Sequence, residues 1–266
     1  MLRLVGQTHF LSELGIIVDQ IKEGKNFNLL ISAPSGYGKT HLALIIVSLC
    51  GGNTNNAMLY IPNDQGKIKI NPSKRFHILD EAHTLKEQEI VYPLMDSNKY
   101  VFIVCTNETG GLKEPLINRC IPFIFSNYND EELKEILALY LTVKLPNNFL
   151  DILVQGVKRN PRIAKLTAIR ISAILSKLGV PENEKEFRKI LEEYLTIDSD
   201  GLDILDRKYL EYLRKVGGRS SLQNISFGTR IDSPTILRDI EPNLLLRSII
   251  KITSKGRELN DNNLDK

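Results

Sequence analysis

The 266-residue sequence has only three cysteines, Cys50, Cys105 and Cys120. They are scattered among apolar or strand-like neighbours, with no zinc spacing and no even-numbered disulfide framework. Packing roles in a reducing compartment are expected for them. No apolar run approaches the roughly 18 residues that a membrane-spanning helix needs, so no membrane partner is expected. The opening MLRLVGQTHFLSELG lacks the basic, apolar and small-residue zones of a secretion signal, which makes the cytoplasm the expected compartment. The histidines carry neither metal spacing nor a Ser-His-Asp arrangement, and structural or surface roles are expected of them. The net charge of +3 is too weak to argue for nucleic acid by itself. There is no internal repeat.

What is present is an ordinary globular balance of 42% hydrophobic and 25% charged residues. Residues 1–126 alternate short apolar runs with helical patterns, as an α/β domain with a parallel sheet does. Five runs read as strands, over residues 27–33, 56–62, 75–83, 99–107 and 120–126. After Asn127 the strands stop, and helical patterns over residues 129–141, 149–158, 161–178 and 184–195 predict an all-helical domain over 127–196. IDSDG, residues 197–201, reads as a linker. Three further helical patterns and two short β-prone pieces joined by a turn follow, which over 197–260 is the pattern of a winged helix. Residues 261–266 read as a disordered tail.

The strongest motif is Ala33-Pro34-Ser35-Gly36-Tyr37-Gly38-Lys39-Thr40. It matches a phosphate-binding loop except that Ala33 stands where the first glycine is usual. Gly36 and Gly38 permit the turns that aim backbone N–H groups at phosphate oxygens. Lys39 can reach the β- and γ-phosphates and Thr40 can hold Mg²⁺. The helix that follows, through His41, puts its positive end on the anion. The motif Ile78-Leu79-Asp80-Glu81-Ala82-His83 delivers two acids at the C-terminal end of a strand, where ligands of open α/β sheets bind. Asp80 would orient the Mg²⁺ shell and Glu81 would polarise the attacking water. Thr106 and Asn107, at the end of the fourth strand, could contact the γ-phosphate or that water. Arg119 lies just before the fifth strand, where an arginine supplied to a neighbouring subunit could stabilise transition-state charge. Arg162 starts a helix in the second domain and could reach back to the phosphates.

ILDEAHTLKEQEIVYPLMD, PLINRC, NPRIAKL, GLDILDRKYLEYL, TILRDIEPNLL and TSKGREL together resemble the RuvB family. These are AAA+ motors that drive branch migration of Holliday junctions. The resemblance runs from Val5-Gly6-Gln7 to about Leu259. It implies an ATP- and Mg²⁺-dependent ATPase, an AAA+ fold with helical lid and winged helix, and a homo-oligomer, a hexameric ring, on DNA. It also implies a first sensor at Thr106 and Asn107, an arginine finger at Arg119 and a second sensor at Pro161 and Arg162. Val5 and Tyr128 would line an adenine pocket, and Lys255 and Arg257 would approach the DNA backbone from the wing. Ala33 departs from the family, as does Ile117, where the family has an arginine. Only a few residues separate Met95-Asp96 from the strand at Val101, which leaves no room for the hairpin that grips RuvA. A protein partner other than RuvA, as in a phage or mobile-element relative, is the expectation that follows. The alternative to a motor is an ATP-dependent switch or loader that recruits a partner to DNA without translocating.

Residues 201–257 hold eleven basic against six acidic residues, an excess of five over a whole-chain value of +3. A basic lobe of this kind suits sequence-independent contact with duplex phosphates.

Overall fold

The computed structural model describes residues 4–53 and 55–260 and divides into two compact units. The first takes the described residues up to Glu132 together with Asn160–Arg162. The second takes Leu133–Arg159 and the described residues from Ile163 onward.

In the first unit, α1 (Thr8–Lys22) precedes β1 (Asn28–Ser32), and α2 (Lys39–Leu49) follows. Then come β2 (Ala57–Tyr60), β3 (Phe76–Leu79), the short α3 (Tyr92–Met95), β4 (Val101–Thr106), the short α4 (Glu114–Ile117) and β5 (Ile121–Ile124). The five strands form one sheet in the order β2-β3-β4-β1-β5, every pair parallel. β4 is buried at all six positions and β3 at all four, as continuous apolar runs in a sheet covered on both faces must be. Pro122 sits in β5, an edge strand, where a missing N–H costs no ladder bond. Because β4 lies between β1 and β3, the loops leaving all three converge at one end of the sheet. His77, in β3, stacks between Tyr60 and Phe102, and burial pulls its pKa down to about 4. Cys50 and Cys105 are buried and Cys120 partly so, and all three are free thiols.

α5 (Asp130–Tyr140) crosses from one unit to the other. The second unit continues with α6 (Asn147–Gly156), α7 (Pro161–Leu178) and α8 (Glu184–Ile190). It ends in α9 (Ile204–Lys215), β6 (Arg219–Ser220), α10 (Leu222–Thr229), α11 (Ser233–Thr235), α12 (Glu241–Leu246), β7 (Ile250–Thr253) and β8 (Gly256–Leu259). Its small antiparallel sheet has the order β6-β8-β7. Asp203 caps α9 in a reciprocal box with Asp206, and Ser221 caps α10. Tyr209, Leu213, Ile225, Ile236, Leu244 and Leu259 meet in one apolar core.

Four expectations change here. The third helix expected of the winged helix is divided. Ile236–Ile240 forms a π-turn before α12, where Pro242 has no N–H to continue an α-helical ladder. β6 adds a third strand to the expected hairpin. Residues 197–201 are not a loose linker. Ile197 and Leu202 are buried, and the Asp198 carboxylate accepts from the N–H groups of Asp200 and Leu202. The helical and winged-helix stretches, expected as separate domains, lie in one unit. The expected tail at 261–266 falls outside the described residues. No helix among those described is long and apolar enough to cross a membrane.

Candidate functional site

The loop after β1 is built from backbone geometry. Gly36 has φ +86° and Gly38 φ +97°, left-handed values that favour glycine. A side chain at Gly36 would also run into the Asn160 amide. That amide donates to the Ser35 carbonyl at 3.0 Å, and the Arg162 N–H donates to the Gly36 carbonyl at 3.1 Å. Arg162, which follows Pro161 at the start of α7, is thus tied to the loop through its backbone, while its side chain is exposed. Its positive field reaches Lys39. Ala33, where a glycine is usual, is buried, and its N–H extends the sheet by donating to the Thr106 carbonyl at 3.2 Å. The N-cap of α2 is Gly38, which makes no side-chain cap bond, so the positive end of the helix that runs on through His41 is offered to an anion.

Lys39 is 5% exposed, and its ammonium donates to the carbonyls of Ala33 (2.9 Å) and Pro34 (3.2 Å). Burial holds its pKa below the usual lysine value, against the opposing pull of Glu81, Cys105 and Asp80. The Thr40 hydroxyl donates to Asp80 Oδ2 at 2.7 Å, so a hydroxyl from the first turn of α2 and a carboxylate oxygen from the end of β3 share one point. Hard oxygen donors of this kind suit Mg²⁺, which takes one or two protein ligands beside phosphate and water. The donor set fits a Mg²⁺–nucleotide, with Lys39 for phosphate and Thr40 and Asp80 for the ion.

Glu81 follows with φ +50°, a left-handed backbone that swings its side chain off the strand line. His83 is the residue that sequence reasoning passed over. Its Nδ1 lies 3.3 Å from the Thr106 hydroxyl and its Nε2 lies 3.6 Å from the Glu81 carboxylate. It therefore stands between the water-activating candidate and the first-sensor candidate. The DEAH spacing was the available signal, since it returns the histidine beside the acid after one tight turn. Thr106 is fully buried, and its hydroxyl also donates to the Glu108 carbonyl, whereas Asn107 is exposed.

The adenine-pocket candidates share one corner. Val5 and Tyr128 are both buried, and Gln7 brackets Ser126, donating to its carbonyl and accepting from its N–H. Tyr128 donates to the Tyr37 carbonyl at 3.0 Å and meets the Tyr37 ring edge-on. Burial pushes the Tyr128 hydroxyl up to about 12, so it stays a donor. Pro34 is exposed and Ser35 half-buried on the loop. Arg119 lies apart from this set, at the foot of β5, with its side chain about one-third exposed.

The two wing residues part company. Lys255 is exposed at the turn between β7 and β8. Arg257 turns inward instead. Its Nε donates to Glu241 Oε1 at 2.8 Å, and Glu241, 2% exposed, also accepts from the Tyr209 hydroxyl at 3.0 Å. Arg257 thus holds the winged helix together, whereas it is expected from the resemblance to approach DNA. Arg219 and Lys251 both pair with Glu258, and Arg238 pairs with Asp239. Arg219, Lys251, Arg238 and Arg257 are thus engaged within the lobe. Lys208, Arg214, Lys215, Arg230 and Lys255 remain exposed, with no ion pair among the described residues.

Residues 199–265 match the family model of the RuvB C-terminal winged helix domain. The chain is 28% identical to the Holliday junction branch migration complex subunit RuvB of Wolinella succinogenes, with 95% of this chain and 85% of that protein aligned. With the same subunit from Rickettsia africae the identity is 27%, over 95% and 84%. Among solved structures, the Thermotoga maritima RuvB Holliday junction branch migration motor superposes with a TM-score of 0.79 at 24% identity, covering 97% of this chain and 93% of that one. Domain III of the T. maritima replication initiation protein DnaA superposes more distantly, with a TM-score of 0.55 at 18% identity over 73% of this chain. The sheet, the phosphate loop and these likenesses agree on an α/β fold of the AAA+ type with a C-terminal winged helix.

Proposed function

We propose that the chain, RuvB-like over nearly its whole length, is an ATP-hydrolysing motor that assembles with copies of itself on DNA. One observation carries the reading. The Thr40–Asp80 hydrogen bond joins the phosphate loop to the strand-end acids, with Lys39 and Glu81 on either side. Loop N–H groups and Lys39 bind and orient the phosphates. Mg²⁺, when bound, supplies neutralisation of developing phosphate charge. Glu81 accepts a proton from, or orients, the attacking water. Thr106, braced by His83, fixes the far side of that water. Val5, Tyr37 and Tyr128 supply an apolar and aromatic wall for the base. Arg119 serves the nucleotide of a neighbouring copy, and a closed ring, a hexamer by the resemblance, would supply one such arginine per site. Lys255 and the exposed cations of α9 supply phosphate contacts to duplex or junction DNA in the cytoplasm.

A second reading has its own support. Only residues 96–100 join α3 to β4, a tight connection with no hairpin. By the RuvB resemblance this is where the family grips RuvA, so the partner is a different protein, and the chain could serve as a switch or loader. Turnover with and without DNA separates the two. A motor is stimulated severalfold or more by duplex or four-way junction DNA and displaces strands. A loader turns over slowly until its protein partner is added, and absence of any DNA stimulation would decide for it.

A further inference from the structure

Arg119 is held on three sides within its own chain. Its Nε donates to Asp96 Oδ1 at 2.9 Å and its Nη2 to Asp96 Oδ2 at 3.0 Å. Its Nη1 donates to the Pro115 carbonyl at 2.8 Å. The guanidinium carbon lies 4.8 Å from the centre of the Tyr92 ring. Tyr92 and Asp96 are four residues apart across one helical turn, which puts ring and carboxylate on the same side. The turn is closed by the Asp96 N–H on the Tyr92 carbonyl (3.0 Å) and the Ser97 hydroxyl on the Leu94 carbonyl (2.7 Å). Asn98 then takes a left-handed φ of +53° so that the chain can enter β4 at once.

Folding gives little reason for the pair. The Arg119 side chain is 31% exposed and that of Asp96 55%, and half-exposed ion pairs add little to stability. The geometry is nonetheless bidentate, the arrangement that fixes a guanidinium in plane and direction. Three of the five N–H groups are engaged, leaving one on each terminal nitrogen for the oxygens of a phosphate.

We propose that Asp96, with the Tyr92 ring beneath the guanidinium, is a positioning residue that aims Arg119 at the nucleotide of a neighbouring copy. This rests on the reading of Arg119 as an arginine supplied in trans. Asp96 neither touches the nucleotide nor holds Arg119 back. It removes the rotational freedom that an arginine on a surface otherwise keeps, and misaimed groups cost rate rather than binding.

The test uses the full chain and the variants Asp96→Asn, Asp96→Glu, Arg119→Ala and the Asp96→Asn/Arg119→Ala double. Asparagine keeps one acceptor but sets an NH₂ against guanidinium donors, so the bidentate grip is lost. Steady-state ATPase gives kcat and KM, a fluorescent ATP analogue gives nucleotide affinity, and sedimentation gives assembly. The expected result is a fall in kcat of roughly tenfold for Asp96→Asn, with affinity and assembly unchanged. Asp96→Glu should recover a large part of that loss. Asp96→Asn should add nothing in the Arg119→Ala background. An unchanged kcat in Asp96→Asn, an equal loss in both backgrounds, or loss of assembly in place of rate would overturn the proposal. A rise in kcat would also overturn it and make Asp96 a latch. If Arg119→Ala itself keeps parental turnover, the trans-arginine reading fails. If Arg119→Ala is impaired and Asp96→Asn is not, only the positioning role fails.

Discussion

At the open end of the first unit, Lys39 is bonded to two neutral carbonyls, and Thr40 and Asp80 are bonded to each other. In the second unit Lys158, with 7% of its side chain exposed, lies 2.6 Å from Asp203 and 2.9 Å from Asp206, and Arg257 is locked to Glu241. Both regions bury charge, but they satisfy it differently. Around the phosphate loop the partners are neutral or exchangeable, so an incoming anion and cation can take their places with a net electrostatic gain. In the second unit the buried Lys158, Asp206 and Glu241 already face opposite charges, and an outside ligand has nothing to win there. A buried cation next to carbonyls therefore reads as a binding group, and one next to a carboxylate reads as a fastener.

Breaking each side of this contrast should give different symptoms. The largest expected effect is on turnover. Glu81→Gln keeps shape and hydrogen bonding but removes the charge that activates water, and should lower turnover about a hundredfold or more while nucleotide affinity holds. Near-parental ATPase in the purified variant would remove Glu81 from its role. Next comes folding. Glu241→Ala leaves Arg257 and the Tyr209 hydroxyl buried without their shared acceptor, and should cost about 3–5 kcal/mol in urea unfolding. A loss below about 1 kcal/mol would mean that the triad is not a fastener. The smallest effect sharpens the comparison on the surface. Lys255→Ala should weaken duplex binding for all sequences alike and make the log–log salt slope shallower by roughly 0.9. An unaltered slope would pass the DNA contacts to the exposed cations of α9 and Arg230.

The five strands, the helix after the phosphate loop, the helices of residues 129–195 and the loop itself were legible because they depend on local pattern. Runs such as Val101–Thr106 announce a buried strand, and the loop spacing is itself the chemistry. Asp80 and Glu81 could be placed because a strand end fixes where they emerge. The inward turn of Arg257 was not legible, because its reason is Glu241, sixteen residues away on another element. A run of basic residues reads as a surface until their partners are known. The grip of Asn160 on Ser35 crosses 125 residues and has no local signal at all. β6 was missed because two residues are too few to carry alternation. His83 was missed although it lies in the motif, because its work shows only once β4 brings Thr106 beside it.

The three residues Asn160–Arg162 belong to the first unit, although the chain on both sides of them belongs to the second. A fragment ending at Glu132 would keep all five strands of the parallel sheet and every acid at their ends. It would still lose the amide under Ser35 and the N–H on Gly36. The first unit is therefore not a cassette that can be inherited, swapped or expressed by cutting the gene once. Any recombination that moves it must carry at least residue 162 as well, and with it the whole of α5 and α6.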